Sequence, residues 1–375
     1  MKIVHLITGL EVGGAEFMLL NLIKQLKIQS VENTVISMTS VGHLGQEIRS
    51  LGVTVEALNM PRGRIRLSAL LKLLKILREI KPDILQTWLY HSDLLGGLTR
   101  LAGSRVPVIW GIHHSTEALH LLKPTTRLVV QFNRFLAFLS PRFIICCSDI
   151  VYRTHRAMGY PKRKMKLIPN GIDPDCFKPD PGVYMSLRKK LGVTRETILI
   201  GHSGRFVPEK AHDIFIQSAG LIAQHHPNIH FVMVGNSIDL ENSALMESIR
   251  ALYLEEKIHL MGQISRLDLL LPGLDIFVSS SLDEALPLTV IEAMACQIPC
   301  VVTDVGDQGQ LVGDSGIIVP PGSEKALAEG CLHLLSMSSK QREELGLAAR
   351  AKILKSYTLE RTATEYLQVY REVIP

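Results

Sequence analysis

Two carboxylates eight positions apart bracket a segment suited to binding an anion. In SLDEALPLTVIEAMACQIP, residues 281–299, Glu284 falls in the turn after an apolar run, Pro287 stands where a helix starts, and Glu292 follows about one turn inside that helix. Such a helix leaves the amides of Leu288 and Thr289 without intrahelical acceptors, and with the helix dipole they suit a phosphate or diphosphate. Carboxylates accept hydrogen bonds from hydroxyls, so Glu284 and Glu292 suit a ribose or hexose better than the phosphate itself. A second segment, ILIGHSGRFVPEKAHD, residues 198–213, places Arg205 and Lys210 in a strand-to-helix loop. Arg grips a phosphate with two parallel hydrogen bonds and Lys adds a movable point charge, so the pair can neutralise a leaving diphosphate without a metal. Taken singly, each of these residues reads as an ordinary solvated surface charge.

Further candidates lie in the N-terminal half. VPVIWGIHHS puts His113 just past the end of a strand, facing the cleft expected below, with His114 as the alternative. Gly13 and Gly14 follow the first apolar run, where a bare backbone approaches a diphosphate or acceptor more closely than any side chain allows. No GxGxxG follows that run, which disfavours a hydride-transfer enzyme. In MPRGRIRLSALLKLLKILREIKP, residues 60–82, Leu67, Leu70, Leu71, Leu74 and Leu77 recur at helical spacing among Arg62, Arg64, Arg66, Lys72, Lys75, Arg78 and Lys81. Such a helix can rest on anionic lipid headgroups, or it can turn its leucines to a sheet and its cations to water. Nucleic acid is the weaker reading, because aromatics make up 5% of the chain and none punctuates this patch.

The elements that must hold these residues are legible as alternating apolar runs and helical patterns, the signature of βαβ units and a parallel sheet. KIVHLIT, NTVISMT, VTVEAL, ILQTWL and VPVIWGI read as strands of a first series. TILIGHSG, HFVMVGN, KIHLMG, DIFVSSS and PCVVTDV begin a second. With 375 residues, two domains are expected: 1–170 and 171–357, joined through KLIPNGIDPDCFKPD, with a final helix over about 358–375 packing back. Ligands of such sheets bind beyond the carboxyl ends of the strands, so the expected site is a cleft between the two domains.

Composition restricts the setting. Residues 1–170 carry 23 Lys and Arg against 10 Asp and Glu, whereas the remainder is acidic. That asymmetry predicts different partners for the two halves. The six cysteines show no CxxC pair and no zinc spacing with His, and read as reduced core thiols of a cytoplasmic protein. The N-terminus reads as a first strand rather than an export signal, and no run of about 20 apolar residues is present to span a bilayer.

The GR…K loop around Arg205 and Lys210, the Glu284-x7-Glu292 signature, Gly13 to Glu16 as GGAE, and IPNGID over Ile168 to Asp173 occur in the order found in another set of proteins. Through these motifs the whole chain resembles the retaining glycosyltransferases of family 4, which have the GT-B fold of two Rossmann-like domains. The resemblance implies that Arg205 and Lys210 hold the donor diphosphate, Glu292 the nucleotide ribose and Glu284 the transferred sugar. The Leu288 and Thr289 amides would lie beside it, Gly14 would line the donor site, Met261 to Arg266 would flank the base, and His113 would contact the donor sugar. It also implies a UDP- or GDP-linked donor, no metal or other cofactor, front-face transfer, and a glycan or lipid-linked acceptor of envelope or exopolysaccharide synthesis at the inner face of a membrane. Ala285-Leu286 replaces the Gly-Phe common after the first Glu, which bears on sugar specificity. Two rival readings use the same architecture, a nucleotide-sugar epimerase and a non-catalytic sugar-binding protein. An epimerase would alter the sugar with no acceptor present, and a binding protein has no need of two cations aimed at a diphosphate.

Overall fold

Val, Ile and Leu dominate the apolar runs, and most strand residues are buried, as sheets covered by helices on both faces require. The computed structural model describes residues 1–11, 13–61, 63, 66–115 and 123–374. The first sheet contains β1 (Lys2–Ile7), β2 (Glu32–Ser37), β3 (Thr54–Ala57), β4 (Ile84–Trp88), β5 (Val108–Ile112), β6 (Phe143–Cys146) and β7 (Met165–Leu167). Its order is β3-β2-β1-β4-β5-β6-β7, parallel throughout, with Ile7 opposite both Ser37 and Trp88. The second contains β8 (Ile198–Ser203), β9 (Ile229–Val234), β10 (Ile258–Leu260), β11 (Ile276–Ser279), β12 (Cys300–Thr303) and β13 (Ile317–Val319). It runs β10-β9-β8-β11-β12-β13, again all parallel. Both are doubly wound, with the strand order reversing beside β1 and β8.

Two compact units result, Met1–Gly171 with Leu359–Pro375, and Ile172–Thr358. The Ile172 amide donates to Tyr357 O (2.9 Å), so the two chain crossings between units are bonded to one another on the second unit's side. In the first unit the terminal helix Leu359–Arg371 buries Tyr366, Leu367 and Tyr370 in the same core as β1 and the helix Gly14–Ile28, and stacks Tyr366 on Trp88 (5.9 Å, 8°). In the second unit a buried Arg188 reaches Asp275 (2.6 Å), Gly273 O (2.8 Å) and Thr197 O (3.1 Å), with its guanidinium over the Tyr184 ring. Burial pushes the Asp275 carboxyl up, and the bonds from the Leu199 amide and Arg188 pull against it. This pair ties the helix Pro181–Leu191 to the sheet edge near β8 and β11.

Several expectations need correction. Strands β6, β7 and β13, of three or four residues, were absent from the two predicted series. The leucines of residues 60–82 divide: in the helix Leu67–Ile80, Leu73, Leu74 and Leu77 are buried while Leu67 and Leu71 are exposed. That helix is principally a core-facing element, and Arg62 and Arg64 lie outside the described residues. Cys176 is exposed and donates to Asp173 Oδ2 (3.5 Å), whereas the other five cysteines are buried.

Candidate active site

At the carboxyl edge of the second sheet, backbone bonds gather the loops. The amides of Gly204, Gly235, Leu282 and Asp307 donate to the carbonyls of Val234, Gly262, Glu209 and Ala285. Beyond β8 the chain makes a short turn over Pro208–Lys210 and then enters the left-handed region at Ala211 (φ 46°), a strained conformation for a residue with a Cβ. The Ser280 hydroxyl holds that strain in place, 2.9 Å from Lys210 O and 3.0 Å from Ala211 O. Because the hydroxyl proton goes to those carbonyls, His202 Nε2–H donates to Ser280 (3.0 Å). His212 packs edge-on to His202 (4.7 Å) and donates to Gly204 O (3.3 Å).

The consequence of this support is the placement of Lys210. Its ammonium donates to Glu284 Oε1, and the Ser281 hydroxyl donates to the same oxygen at 2.8 Å. The sequence assigned Lys210 and Glu284 to different parts of one ligand, and the fold brings them into direct contact. Arg205 is exposed and forms no ion pair among the described residues, so it does not join that pair. The helix Leu288–Ala295 starts just after Pro287, whose carbonyl accepts from Val290 and Ile291, leaving Leu288 and Thr289 at the open end. One turn inside, Glu292 Oε2 is buried with no partner among the described residues. Burial, reinforced by Asp268, pushes its carboxyl up to about 8, so the group is largely protonated at neutral pH. Arg266 grips Asp268 in turn, Nε to Oδ1 at 2.8 Å and Nη2 to Oδ2 at 2.6 Å.

In the first unit, His113 follows β5 and stacks on Trp88 (5.0 Å, 18°). Both ring nitrogens are buried and lack partners among the described residues; burial, with His114 nearby, lowers the imidazole to about 3. Trp88 Nε1–H donates to His5 Nδ1 (3.3 Å), which leaves the His5 proton on Nε2 to meet Asn33 Oδ1 (3.0 Å). His114 is exposed, and its carbonyl lies 3.2 Å from the Tyr90 hydroxyl oxygen. Gly14 is exposed at the first residue of the helix Gly14–Ile28, after the extended Gly13.

The family model described as Glycosyl transferases group 1 matches residues 185–352, and that described as Glycosyltransferase Family 4 matches residues 12–176. The chain is a family 4-type glycosyltransferase. Among the relatives of this glycosyltransferase is the UDP-Gal:alpha-D-GlcNAc-diphosphoundecaprenol alpha-1,3-galactosyltransferase of Escherichia coli, 27% identical over 66% of this chain and 64% of its own length. The lipopolysaccharide core biosynthesis mannosyltransferase LpsB of Rhizobium meliloti is 26% identical over 62% of this chain and 68% of its own. The chain thus spans about two thirds of the length of each. The crystal structure of Anabaena HepE in complex with UDP-glucose has the same GT-B fold, with a TM-score of 0.85 at 22% identity, covering 98% of this chain and 100% of that one.

Ser280, Ser281, His202, His212 and Asp268 were not singled out from the sequence of this glycosyltransferase. The run Ser279-Ser280-Ser281 at the carboxyl end of β11 was the available signal, since polar side chains there face the ligand edge of a parallel sheet. Two glycines were also missed. At Gly306 (φ 55°) a Cβ would overlap the Glu284 carbonyl, and at Gly235 (φ 154°) one would overlap the Gly204 carbonyl. A matched pair of substitutions separates contact from backbone strain, because Gly103 (φ 88°) has nothing within 4 Å of its would-be Cβ. Gly103→Ala is expected to lose about 1 kcal/mol, while Gly306→Ala loses roughly 3 kcal/mol and also weakens donor binding. Equal losses in thermal unfolding, with donor affinity intact in both, would contradict the role given to Gly306.

Proposed function

We propose that this enzyme transfers a hexosyl group with retention from a UDP- or GDP-linked sugar to a glycan or lipid-linked acceptor, and that it does so without a metal ion. The observation that carries the reading is the Lys210–Glu284 pair, with Glu284 in the turn that leads into the helix Leu288–Ala295 and that helix carrying the buried Glu292 carboxyl, unpartnered among the described residues. In the reaction the bond from the anomeric carbon to the diphosphate oxygen breaks. The acceptor oxygen bonds to the same face of that carbon, and its proton passes to the departing diphosphate. Lys210 and Arg205 neutralise the leaving group, aided by the Leu288 and Thr289 amides. Glu284 accepts from a sugar hydroxyl and Glu292 from the ribose. His113, as a neutral imidazole, offers the sugar one donor and one acceptor without placing a cation beside the developing positive charge.

The lipid-linked acceptor is supported by the basic N-terminal half and by the Escherichia coli relative, whose name specifies a diphosphoundecaprenol acceptor. Among the described residues no helix is long and apolar enough to cross a membrane, so in this reading contact with the inner face is peripheral. The test is a thermal-shift panel of UDP-, GDP- and ADP-sugars, followed by transfer to a polyprenyl-diphosphate glycan with and without EDTA. A ligand at 100 times its Kd is expected to add about 2.7 kcal/mol of stability. Turnover is expected to survive chelation; loss of turnover restored by manganese would overturn the metal-free mechanism, and a panel without any shift would overturn the donor site.

A further inference from the structure

The helix Pro124–Leu139 in the first unit buries Val130, Asn133, Leu136 and Ala137 and leaves its opposite face open. On that face Leu128, Phe132, Phe135 and Leu139 are 71%, 56%, 67% and 69% exposed, and Phe138 is 52% exposed. The first four follow at i, i+4, i+7 and i+11, which is one continuous stripe on a helix. Arg127 and Arg134 form the neighbouring row, both exposed, with the Arg134 guanidinium 5.7 Å from the Phe135 ring centre. An apolar stripe this long is unusual on a soluble surface and calls for an occupant.

Charge decides which occupant. Residues 118–172 hold ten Lys and Arg against one acidic residue, Asp149. At the carboxyl end of the stripe a pocket of about 320 Å³ is lined by Arg100, Arg142, Arg163 and Lys164 together with Leu139, Ser140 and Pro141. None of these four cations is in an ion pair among the described residues, although Lys164 caps the helix through Ala137 O (2.9 Å) and Phe138 O (2.8 Å). A second copy docked through the same face would set these cations against their own kind, whereas an anionic lipid surface complements them. Apolar side chains flanked by cations are what an in-plane helix uses at the boundary of headgroups and acyl chains.

We propose that the helix Pro124–Leu139 is a membrane-docking surface, inserting Leu128, Phe132, Phe135 and Leu139 into an anionic leaflet while the Arg100–Arg142–Arg163–Lys164 pocket takes a lipid phosphate. It names the surface behind the lipid-linked acceptor, and its test reads vesicle binding rather than sugar transfer, so the two fail separately.

The full chain is sedimented with vesicles of phosphatidylglycerol and phosphatidylcholine, and with phosphatidylcholine alone. Binding is expected to the anionic vesicles and to weaken as salt rises. Phe132→Ser with Phe135→Ser, both at exposed positions, is expected to lower partitioning by at least about tenfold with thermal stability and UDP-sugar binding unchanged. Arg142→Glu with Arg163→Glu is expected to lower it comparably, and Lys72→Glu with Lys75→Glu to leave it intact. Phe135→Trp adds a reporter whose emission is expected to shift to the blue on anionic vesicles, above the constant signal of the buried Trp88 and Trp110. Failure of the natural chain to bind anionic vesicles, unchanged binding by the double serine variant, or a dimer in solution that the serine variant dissociates would each overturn the assignment.

Discussion

Lys210→Met is expected to reduce kcat/KM by roughly 10²–10³-fold, the scale found when one preorganised donor to a developing anion is removed. Two effects add in the same direction. The substitution deletes a cation assigned to the departing diphosphate, and it leaves Glu284 with only the Ser281 hydroxyl. An unneutralised carboxylate beside an incoming diphosphate repels it, so donor affinity falls along with turnover. The folded state is expected to lose about 1–3 kcal/mol, because the pair keeps only 22% and 12% of its side-chain surface open and the substitution leaves the Glu284 carboxylate without its cation. Single-turnover kinetics and donor titration on the variant provide the check, and unchanged values for both would remove Lys210 from the site. Glu292 has a separate signature. Its carboxyl sits up at about 8, and a ribose hydroxyl donates best to the ionised form, so donor affinity is expected to rise with pH through 8 and to level only above it. Glu292→Gln should abolish that dependence; a pH-independent donor Kd in the unaltered enzyme would count against the ribose assignment.

Acidification is expected to destabilise the protein steeply. His5, His155 and His212 are lowered to about 4 by burial and His113 to about 3, while His202 is lowered by burial and by His212 and Lys210. Each is built in as a neutral ring: His155, for instance, donates from Nδ1 to Val151 O (2.8 Å) and accepts at Nε2 from Tyr90 (2.9 Å). Because the folded values lie below the unfolded value near 6.5, these rings contribute stability that is present above that pH and is lost as pH falls through the window from 6.5 to about 4. Glu292 and Asp93 act oppositely, since burial raises both and their folded forms retain protons that the unfolded chain releases. Burial lowers His91, His230 and His259 as well, and raises Asp275 with the other two carboxyls, so the lowered rings outnumber the raised carboxyls and unfolding takes up protons near pH 5. Urea unfolding at pH 7.5, 6 and 5 measures it. A midpoint that rises or holds steady across that range would contradict the buried neutral rings.

The amino-acid order by itself determined the two-sheet architecture, because that depends on local and periodic signals, and its ordered motifs were enough to point to the family. Runs such as KIVHLIT and DIFVSSS announce parallel strands, and Pro287 announces the start of the helix that carries Glu292. The motifs around Arg205, Lys210, Glu284 and Glu292 survive as spacing. Contacts distant in sequence were decided only by folding. Lys210 meets Glu284 across 74 positions, and Ser280 braces the Lys210 carbonyl across 70. Gly306 is a glycine because a loop 22 residues earlier leaves no room for a Cβ, a reason that no turn propensity encodes. The same limit explains the two amphipathic helices. Leu67–Ile80 combines leucines with cations and Pro124–Leu139 combines leucines and phenylalanines with cations, and periodicity marks each as having an apolar face. Which face meets the sheet is settled by what packs beneath it. The first helix turns Leu73, Leu74 and Leu77 inward, whereas the second satisfies its core with Val130, Leu136 and Ala137 and leaves Leu128, Phe132 and Phe135 outside.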